Sequence, residues 1–250
     1  MKLTEGIHLV GSGSLGFDLT DNFDCHVYLL DGGDELALVD AGAGLGAEAI
    51  LDNVRRDGLD PARIRHLILT HAHGDHAGGA ATLRSLLSGP TVYISKTRAE
   101  ALRTADDEAI SLSDAKRAGI YPPEYRFQAC DVDVELDDGD EIAVGRLTLR
   151  ALDTPGHADG HTSFLLEHRG QRSLFAGDVV FHGGKVLLQA IHDCRLDALI
   201  RSLRRLRSLE VDGLFPGHLA FSLAGGQRHI ERANEVLDRL LIPEQVVGAW

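Results

Sequence analysis

The stretch "LTHAHGDHAGG", residues 69–79, places three histidines and an aspartate within six consecutive positions, directly after an apolar run. Residues two apart in an extended backbone point the same way, so His71 and His73 face one position while Asp75 and His76 turn towards a second. Crowding such groups is costly without a cation, and imidazole and carboxylate are donors that divalent metals accept. The stretch therefore predicts a site for two adjacent metals where a strand ends.

Three further strand ends offer additional ligands. The sequence "DTPGHADGH" supplies His157 or His161, "LFAGD" supplies Asp178, and "LFPGH" supplies His218. Each follows a strand-like apolar run or a Pro-Gly or Ala-Gly turn, which is where an α/β fold presents functional side chains. We expect these groups to complete the site that residues 69–79 begin.

Composition indicates a soluble globular protein. Of 250 residues, 44% are hydrophobic and 25% charged, and no apolar run approaches the roughly 18 residues that span a bilayer. The N-terminus lacks the features of a secretory signal, so a cytoplasmic location is expected. The three cysteines form no close pair, which favours reduced, structural thiols.

The charge balance narrows the class of partner. With 25 basic and 38 acidic residues, the formal charge of −13 repels nucleic acid and anionic membranes. The expected partner is a small-molecule substrate, with no nucleic acid and no membrane, and a homo-oligomer is left open.

Apolar patterning predicts a layered α/β domain. "CHVYLL" (25–30) and "ELALVD" (35–40), joined by "DGGD", read as a hairpin. A helix is predicted over 46–58 and a buried strand over 63–70. Further elements are predicted as helices over 77–87, 193–211 and 226–241, strands over 91–95 and 213–216, and a second hairpin over 161–178.

Two segments interrupt this pattern. Residues 96–128 are charged, helix-prone and proline-containing, which indicates an inserted helical cap, with an oligomer contact as the alternative. "GSGSLG" (11–16) matches a dinucleotide-binding fingerprint, which requires a helix that begins at the third glycine. The residues after this glycine lack the apolar spacing of a helix. A loop over a pocket is the preferred interpretation, within a single domain spanning 1–250.

The ordered set of motifs resembles the metallo-β-lactamase-fold hydrolases, a group that includes glyoxalase II. The motifs are "VDAG" with Asp40, "THAHGDH", "TPGH" with His157, "AGD" with Asp178 and "PGH" with His218. Together they cover nearly the whole chain. The resemblance implies an α/β fold, a four-layer αββα sandwich with the site at one edge of its two sheets.

Carried over position by position, the resemblance implies two metal ions, with zinc expected and iron or manganese as alternatives. Asp40 would support the ligand loop, although a simple turn aspartate is an equally good interpretation, and His161 would be structural. The first metal would be bound by His71, His73 and His157, the second by Asp75, His76 and His218, and Asp178 would bridge them.

The implied reaction is hydrolysis of an ester, thioester or similar bond. Two divalent ions lower the pKa of a bridging water towards about 7, which makes hydroxide available to attack the substrate. Asp75 is the predicted catalytic residue, orienting this hydroxide and taking its proton. Histidine at position 73 favours hydrolysis over the flavodiiron redox branch, and a carboxylate at 178 separates the chain from the true lactam-hydrolysing enzymes.

Phe181 and His182, which follow Asp178 closely, are the predicted substrate contacts. Phe181 stands where lactonases of this group carry a tyrosine, which argues against a lactone. "GDVVFHGG" resembles the start of the glutathione region of glyoxalase II, and His182 is predicted to line the pocket as a substrate contact or leaving-group acid. A mononuclear iron persulfide dioxygenase, a lactonase and a phosphodiesterase remain as alternatives.

Overall fold

Two β-sheets stack face to face, with helices on both outer surfaces. The computed structural model describes residues 1–246; the last four residues of the predicted domain, 247–250, lie outside the described part. The first sheet contains, in spatial order, β1 (Lys2–Thr4), β2 (Ile7–Gly11), β3 (Val27–Asp31), β4 (Leu36–Val39), β5 (Ile64–Ile68), β6 (Thr91–Ser95) and β7 (Val134–Leu136). The second contains β12 (Gly213–Pro216), β11 (Gln171–Gly177), β10 (Thr162–His168), β9 (Leu147–Asp153) and β8 (Glu141–Val144).

Both sheets mix strand directions. Strands β1 to β4 pair antiparallel and β4 to β7 pair parallel. In the second sheet β8 to β11 are antiparallel, and β12 runs parallel to β11. The helices are α1 (Ala47–Arg56), α2 (Gly74–Ala77), α3 (Ala80–Leu86), α4 (Ala99–Thr104), α5 (Leu112–Arg117), α6 (Leu196–Leu206) and α7 (Gln227–Asp238).

Three apolar cores hold the layers together. An aromatic core between the sheets contains Phe164, Phe175 and Phe215, all buried because the inner faces of both sheets are covered. A second core lies between the first sheet and the helices that include α1, and a third lies between the second sheet, α6 and α7. This is the αββα sandwich that the sequence predicts.

The predicted cap over 96–128 consists of α4, α5 and an irregular segment. Its buried residues, among them Leu102, Ile110 and Leu112, belong to the apolar core on the helical side of the first sheet. The cap is thus packed continuously with the sandwich. Of the helices in residues 1–246, none combines the length and apolar character needed to cross a bilayer.

The two sheets are joined at one edge by backbone hydrogen bonds. The N–H of Thr162, at the start of β10, donates to the carbonyl of Thr70, just past β5, over 2.8 Å. The N–H of His26, just before β3, donates to the carbonyl of Gly217, just past β12, over 2.7 Å. The ligand-bearing loops therefore leave neighbouring strand ends, where α/β folds place their sites.

Close packing explains the glycines after the histidine-rich stretch. Gly78 and Gly79 have ordinary helical φ angles of −59° and −84°. A Cβ on Gly79 would lie 2.0 Å from the Ala41 carbonyl oxygen, which is well inside van der Waals contact. The passage from α2 to α3 therefore requires glycine for space and not for a left-handed backbone.

Candidate metal centre

The predicted ligands converge at the joined edge of the sheets. Ligand atoms of His71, His73 and His157 all lie within 4.8 Å of one another, and the same holds for Asp75, His76 and His218. We call these the first and second ligand groups. Residues separated by up to 147 positions in the chain thus form two adjacent clusters.

Asp178 lies between the two ligand groups. Its Oδ2 is 3.5 Å from His157 Nε2 in the first group and 3.5 Å from His218 Nε2 in the second. Its Oδ1 is 3.4 Å from His76 Nε2. Gly217 makes this approach possible, because a Cβ there would lie 2.2 Å from Asp178 Oδ1. One carboxylate therefore reaches both groups.

Protein contacts fix the orientation of the histidine rings. His71 Nδ1 lies 3.0 Å from the Thr70 hydroxyl, and His157 Nδ1 donates to the Leu187 carbonyl over 3.2 Å. His76 Nδ1 donates to Asp40 Oδ2 over 2.8 Å. Because each Nδ1 is engaged, the Nε2 of each ring is left to face the other ligands.

Three polar atoms of the ligand groups and Asp178 have no hydrogen-bond partner within residues 1–246, as expected of atoms that bind a metal ion. Among the described residues, His71 Nε2, His76 Nε2 and Asp178 Oδ1 are buried without a hydrogen bond. Leaving a buried polar group unsatisfied costs about 1–3 kcal/mol, and more for a charged one. Nitrogen and carboxylate donors directed at a common centre are what zinc accepts. The residues fit a divalent cation.

The two groups differ in electrostatics. Burial lowers the pKa of His157 to about 4 and that of His71 well below its ordinary value, so these two rings of the first group are neutral imidazoles. Burial alone would lower the pKa of His218, but the carboxylates of Asp178 and Asp75 outweigh it and raise the pKa to about 9. The carboxylates around the second group therefore stabilise positive charge there.

Asp40 supports the ligand loop from behind. Its Oδ1 accepts the Thr70 N–H over 2.8 Å while its Oδ2 accepts from His76 Nδ1. The residue adopts a left-handed backbone with φ of 65°, which is uncommon outside glycine. Of the two interpretations of Asp40, the geometry favours the supporting one.

His161 is held as a structural residue. Its Nε2 accepts the Asp178 N–H over 3.0 Å, and its Nδ1 faces the Thr154 hydroxyl at 2.9 Å. Burial lowers its pKa to about 3, so the ring is neutral and both nitrogens are engaged. Of the two histidines in "TPGHADGH", only His157 presents a nitrogen to the ligand groups.

The structure does not bring the two predicted substrate contacts into the cavity beside the ligands. Phe181 is fully buried, with its ring 6.3 Å from that of His218. His182 is exposed and packs against His229, with the ring centroids 4.3 Å apart. The chain turns at Gly183, where φ is 82°, so a position four residues past Asp178 faces away from the site.

Three residues that the sequence did not indicate contact the ligands or their supports. Asp193 Oδ2 accepts from His73 Nε2 at 3.2 Å, and Ser111 Oγ donates to Asp193 Oδ1 over 2.6 Å. The Tyr121 hydroxyl donates to Asp75 Oδ1 over 3.2 Å. All three lie in irregular segments or at a helix end, where periodicity carries no signal.

A cavity of about 810 Å³ opens from the ligands. The cap forms one wall and residues 187–191 form another, while Ser14 and Leu15 of the "GSGSLG" loop lie at its rim. No helix begins after this loop, as predicted for a loop over a pocket. The apolar part of the lining is Leu15, Phe23, Ile110, Leu112, Ala115, Ala118, Ile120, Leu187, Leu188, Ala190 and Ile191.

Known proteins resemble this chain along most of its length. An acyl-coenzyme A thioesterase MBLAC2 from Bos taurus is 29% identical, covering 88% of this chain and 81% of its own length. A hydroxyacylglutathione hydrolase from Rhodopseudomonas palustris is 30% identical, covering 80% and 63%. A beta-lactamase-like protein 2 homolog from Caenorhabditis elegans is 28% identical over 77% of this chain, which spans only 55% of that relative.

Solved structures agree on the fold. A metallo-β-lactamase of Cronobacter sakazakii superposes with a TM-score of 0.74 at 24% identity, covering 96% of both chains. A metallo-β-lactamase family protein from Thermus thermophilus gives 0.71 at 26% identity, covering 95% of this chain and 81% of its own. The family model described as "Metallo-beta-lactamase superfamily" matches residues 20–218. The chain therefore belongs to the metallo-β-lactamase superfamily and is a metal-dependent hydrolase.

Proposed function

We propose that the protein binds two divalent metal ions, zinc in the first instance, and hydrolyses thioesters that carry an apolar acyl group. The position of Asp178, within 3.5 Å of nitrogens in both ligand groups, is the observation that carries the dinuclear proposal. The first group would bind one ion and the second group the other, with Asp178 shared. A single-metal centre would leave buried donors of the other group unsatisfied.

When bound, the ions would supply a nucleophile from water at neutral pH and polarise the thioester carbonyl. Asp75 is suited to orient that nucleophile and to accept its proton. Its Oδ1 is held by the Tyr121 hydroxyl, and its Oδ2 lies 3.1 Å from His218 Nε2 at the floor of the cavity. Tyr121 thereby limits the rotation of the Asp75 carboxylate, which keeps one oxygen directed at the reacting groups.

The cavity supports an apolar acyl group. Ile110 and Leu112 of the cap line it together with Leu187 and Ile191, and residues of both ligand groups belong to the same lining. Arg117 is its one Lys or Arg, and this side chain is already paired with Asp114. An apolar chain gains from burial there at about 25 cal/mol per Å², whereas an anionic acyl group would find no unpaired Lys or Arg among the described residues of the lining.

The relatives support a thioester as the bond. The names acyl-coenzyme A thioesterase and hydroxyacylglutathione hydrolase both denote enzymes that cleave an acyl group from a thiol carrier. Coenzyme A and glutathione differ in most of their structure, and the thioester is the reacting group in both, so the bond is the feature to carry over. The apolar wall then favours an alkyl acyl group over a hydroxylated one.

The experiment combines metal analysis with a substrate series. Purified protein is analysed for zinc, iron and manganese, then assayed with acetyl, octanoyl and lactoyl thioesters of coenzyme A, glutathione and N-acetylcysteamine, beside lactones, phosphodiesters and β-lactams. We expect about two metal ions per chain and fastest turnover of octanoyl thioesters on every carrier. Replacing Asp178 with asparagine should lower metal content and slow turnover by more than about 100-fold. Asp197→Asn, at an exposed ion pair with Arg201, is the control.

Each part of the proposal has its own contradicting result. Undiminished turnover by Asp178→Asn at unchanged metal content would exclude the shared-carboxylate centre. One iron per chain with oxygen consumption on persulfides would favour the dioxygenase alternative. Preference for lactoyl over octanoyl thioesters would overturn the apolar substrate while leaving the hydrolytic centre intact.

A further inference from the structure

Asp193 is buried behind the first ligand group, on a loop that the proposed chemistry does not use. The residue is 1% exposed. Its Oδ2 accepts from His73 Nε2 at 3.2 Å, and its Oδ1 accepts from the Ser111 hydroxyl over 2.6 Å. One carboxylate thus connects the histidine-rich stretch, the cap and the loop that precedes α6.

His73 differs from the other two histidines of its group. His71 and His157 engage Nδ1 with neutral protein groups and face the site with Nε2. His73 does the reverse, because its Nε2–H donates to Asp193 and its Nδ1 lies 3.1 Å from His157 Nε2. A carboxylate partner fixes the tautomer of an imidazole and raises its basicity as a ligand.

Ser111 links this contact to the wall of the cavity. It lines the cavity and directly precedes α5, with a left-handed φ of 55° that a residue other than glycine rarely adopts. In this backbone conformation, the Ser111 hydroxyl donates a hydrogen bond to Asp193. Movement of the cap would therefore pull on the group that orients His73.

We propose that Asp193 is a positioning residue that directs His73 Nδ1 into the first ligand group, and that Ser111 couples this position to the cap. The inference goes beyond the proposed function and rests on it only in assigning a metal to that group. Metal bound by His73 would stabilise the Ser111–Asp193 contact, and substrate packed against the cap would in turn affect metal binding.

The test compares Asp193→Ala, Asp193→Asn and Ser111→Ala with two controls, Asp197→Asn at an exposed ion pair on α6 and Ser113→Ala two residues along the cap. Affinity for Zn²⁺ is measured by competition with a chromophoric chelator, and the ligand field by the absorption of the Co²⁺-loaded protein. We expect Asp193→Ala to weaken one of the two sites by about 10–100-fold and to shift the Co²⁺ bands. Asparagine should restore part of the affinity, since its amide oxygen still accepts from His73.

Ser111→Ala should raise KM more than it lowers kcat and weaken the same site by a smaller factor, and both controls should match the parent protein. Parent-like zinc affinity and Co²⁺ bands in Asp193→Asn and Ser111→Ala would overturn the proposal, even if Asp193→Ala does not fold. Nitrogen-15 NMR of the metal-free protein gives a separate reading: we expect the His73 proton on Nε2. A proton on Nδ1 would overturn the role of Asp193, whereas failure to bind any metal would overturn only the proposed function.

Discussion

Six buried histidines of residues 1–246 form two sets that differ in what their ring nitrogens contact. In the inward set one nitrogen of each ring binds a protein group and the other faces the ligand groups. In the satisfied set the protein engages both nitrogens. The inward set is His71, His76 and His157; the satisfied set is His26, His161 and His229.

The difference shows that burial does not mark a metal ligand. Burial lowers the pKa of His26, in the satisfied set, to about 4, and it lowers that of His157, in the inward set, to about 4 as well. Both rings are therefore neutral, yet only His157 has a lone pair directed at other donors. A free nitrogen among converging ligands, and not a shifted pKa, distinguishes the two sets.

The strongest test of this comparison replaces one member of each set. His157→Ala should remove about one metal ion per chain and slow hydrolysis by more than about 100-fold, because loss of a ligand exceeds loss of a supporting partner. His229→Ala should keep the metal content and the rate. Elemental analysis and kcat/KM measure both, and equal metal loss in the two variants would show that burial matters and the free nitrogen does not.

The satisfied set should matter for stability in the absence of metal. His161→Ala leaves the buried N–H of Asp178 without an acceptor and opens a cavity beside Thr154. We expect the free energy of unfolding to fall by about 2–3 kcal/mol in urea with a chelator present. His168→Ala, at the partly exposed end of β10, should change it by less than about 0.5 kcal/mol. Similar losses in the two variants would contradict the structural role of His161.

Much of the fold and the metal centre follows from the sequence because both depend on local signals. The hairpin of β3 and β4 and the strand β6 lie where apolar alternation and turn residues predict them. The ligands stand at strand ends within short motifs, so strand positions suffice to bring them to one edge. Because imidazole and carboxylate groups are metal ligands, their crowding in the sequence then indicates a cation, and this inference does not require knowledge of the packing.

The remaining features depend on contacts that no local pattern encodes. Asp193 meets His73 across 120 positions, and Tyr121 meets Asp75 across 46, each from a segment without apolar periodicity. His182 illustrates the reverse error: it is close to Asp178 in sequence, but a turn at Gly183 directs it to His229. Substrate contacts are set by loop paths, so sequence distance from a ligand does not predict them.

A smaller effect on metal affinity is expected from replacing Asp40, the residue that holds His76 of the inward set. Asp40→Asn keeps an oxygen for the Thr70 N–H but removes the charge beside His76 Nδ1. Affinity for Zn²⁺ should fall by about 10–100-fold, as is typical for loss of a carboxylate behind a ligating histidine. Competition with a chromophoric chelator measures it, with Asp52→Asn at an exposed ion pair as the control. Unchanged affinity in Asp40→Asn would assign Asp40 to the turn alone.

The smallest effect concerns His229. Burial lowers the pKa of this histidine from 6.5 to about 4. Its Nδ1 accepts the Gly183 N–H over 2.9 Å and its Nε2 lies 2.7 Å from the Ser222 hydroxyl, so the folded protein holds the neutral ring. Above pH 6.5 the ring is neutral in both states and its full contribution is present; as the pH falls from 6.5 to about 4, the unfolded chain takes up the proton first and stability is lost.

His229→Gln keeps an acceptor for Gly183 and a donor for Ser222 but cannot titrate. Between pH 6.5 and 4, the free energy of unfolding of this variant should therefore decline by about 1 kcal/mol less than that of the parent, a figure reduced for solvent screening. Urea denaturation of metal-free protein at several pH values measures the difference. Identical slopes would mean that His229 takes up its proton over the same pH range in the folded and unfolded states, and it would then no longer belong to the satisfied set.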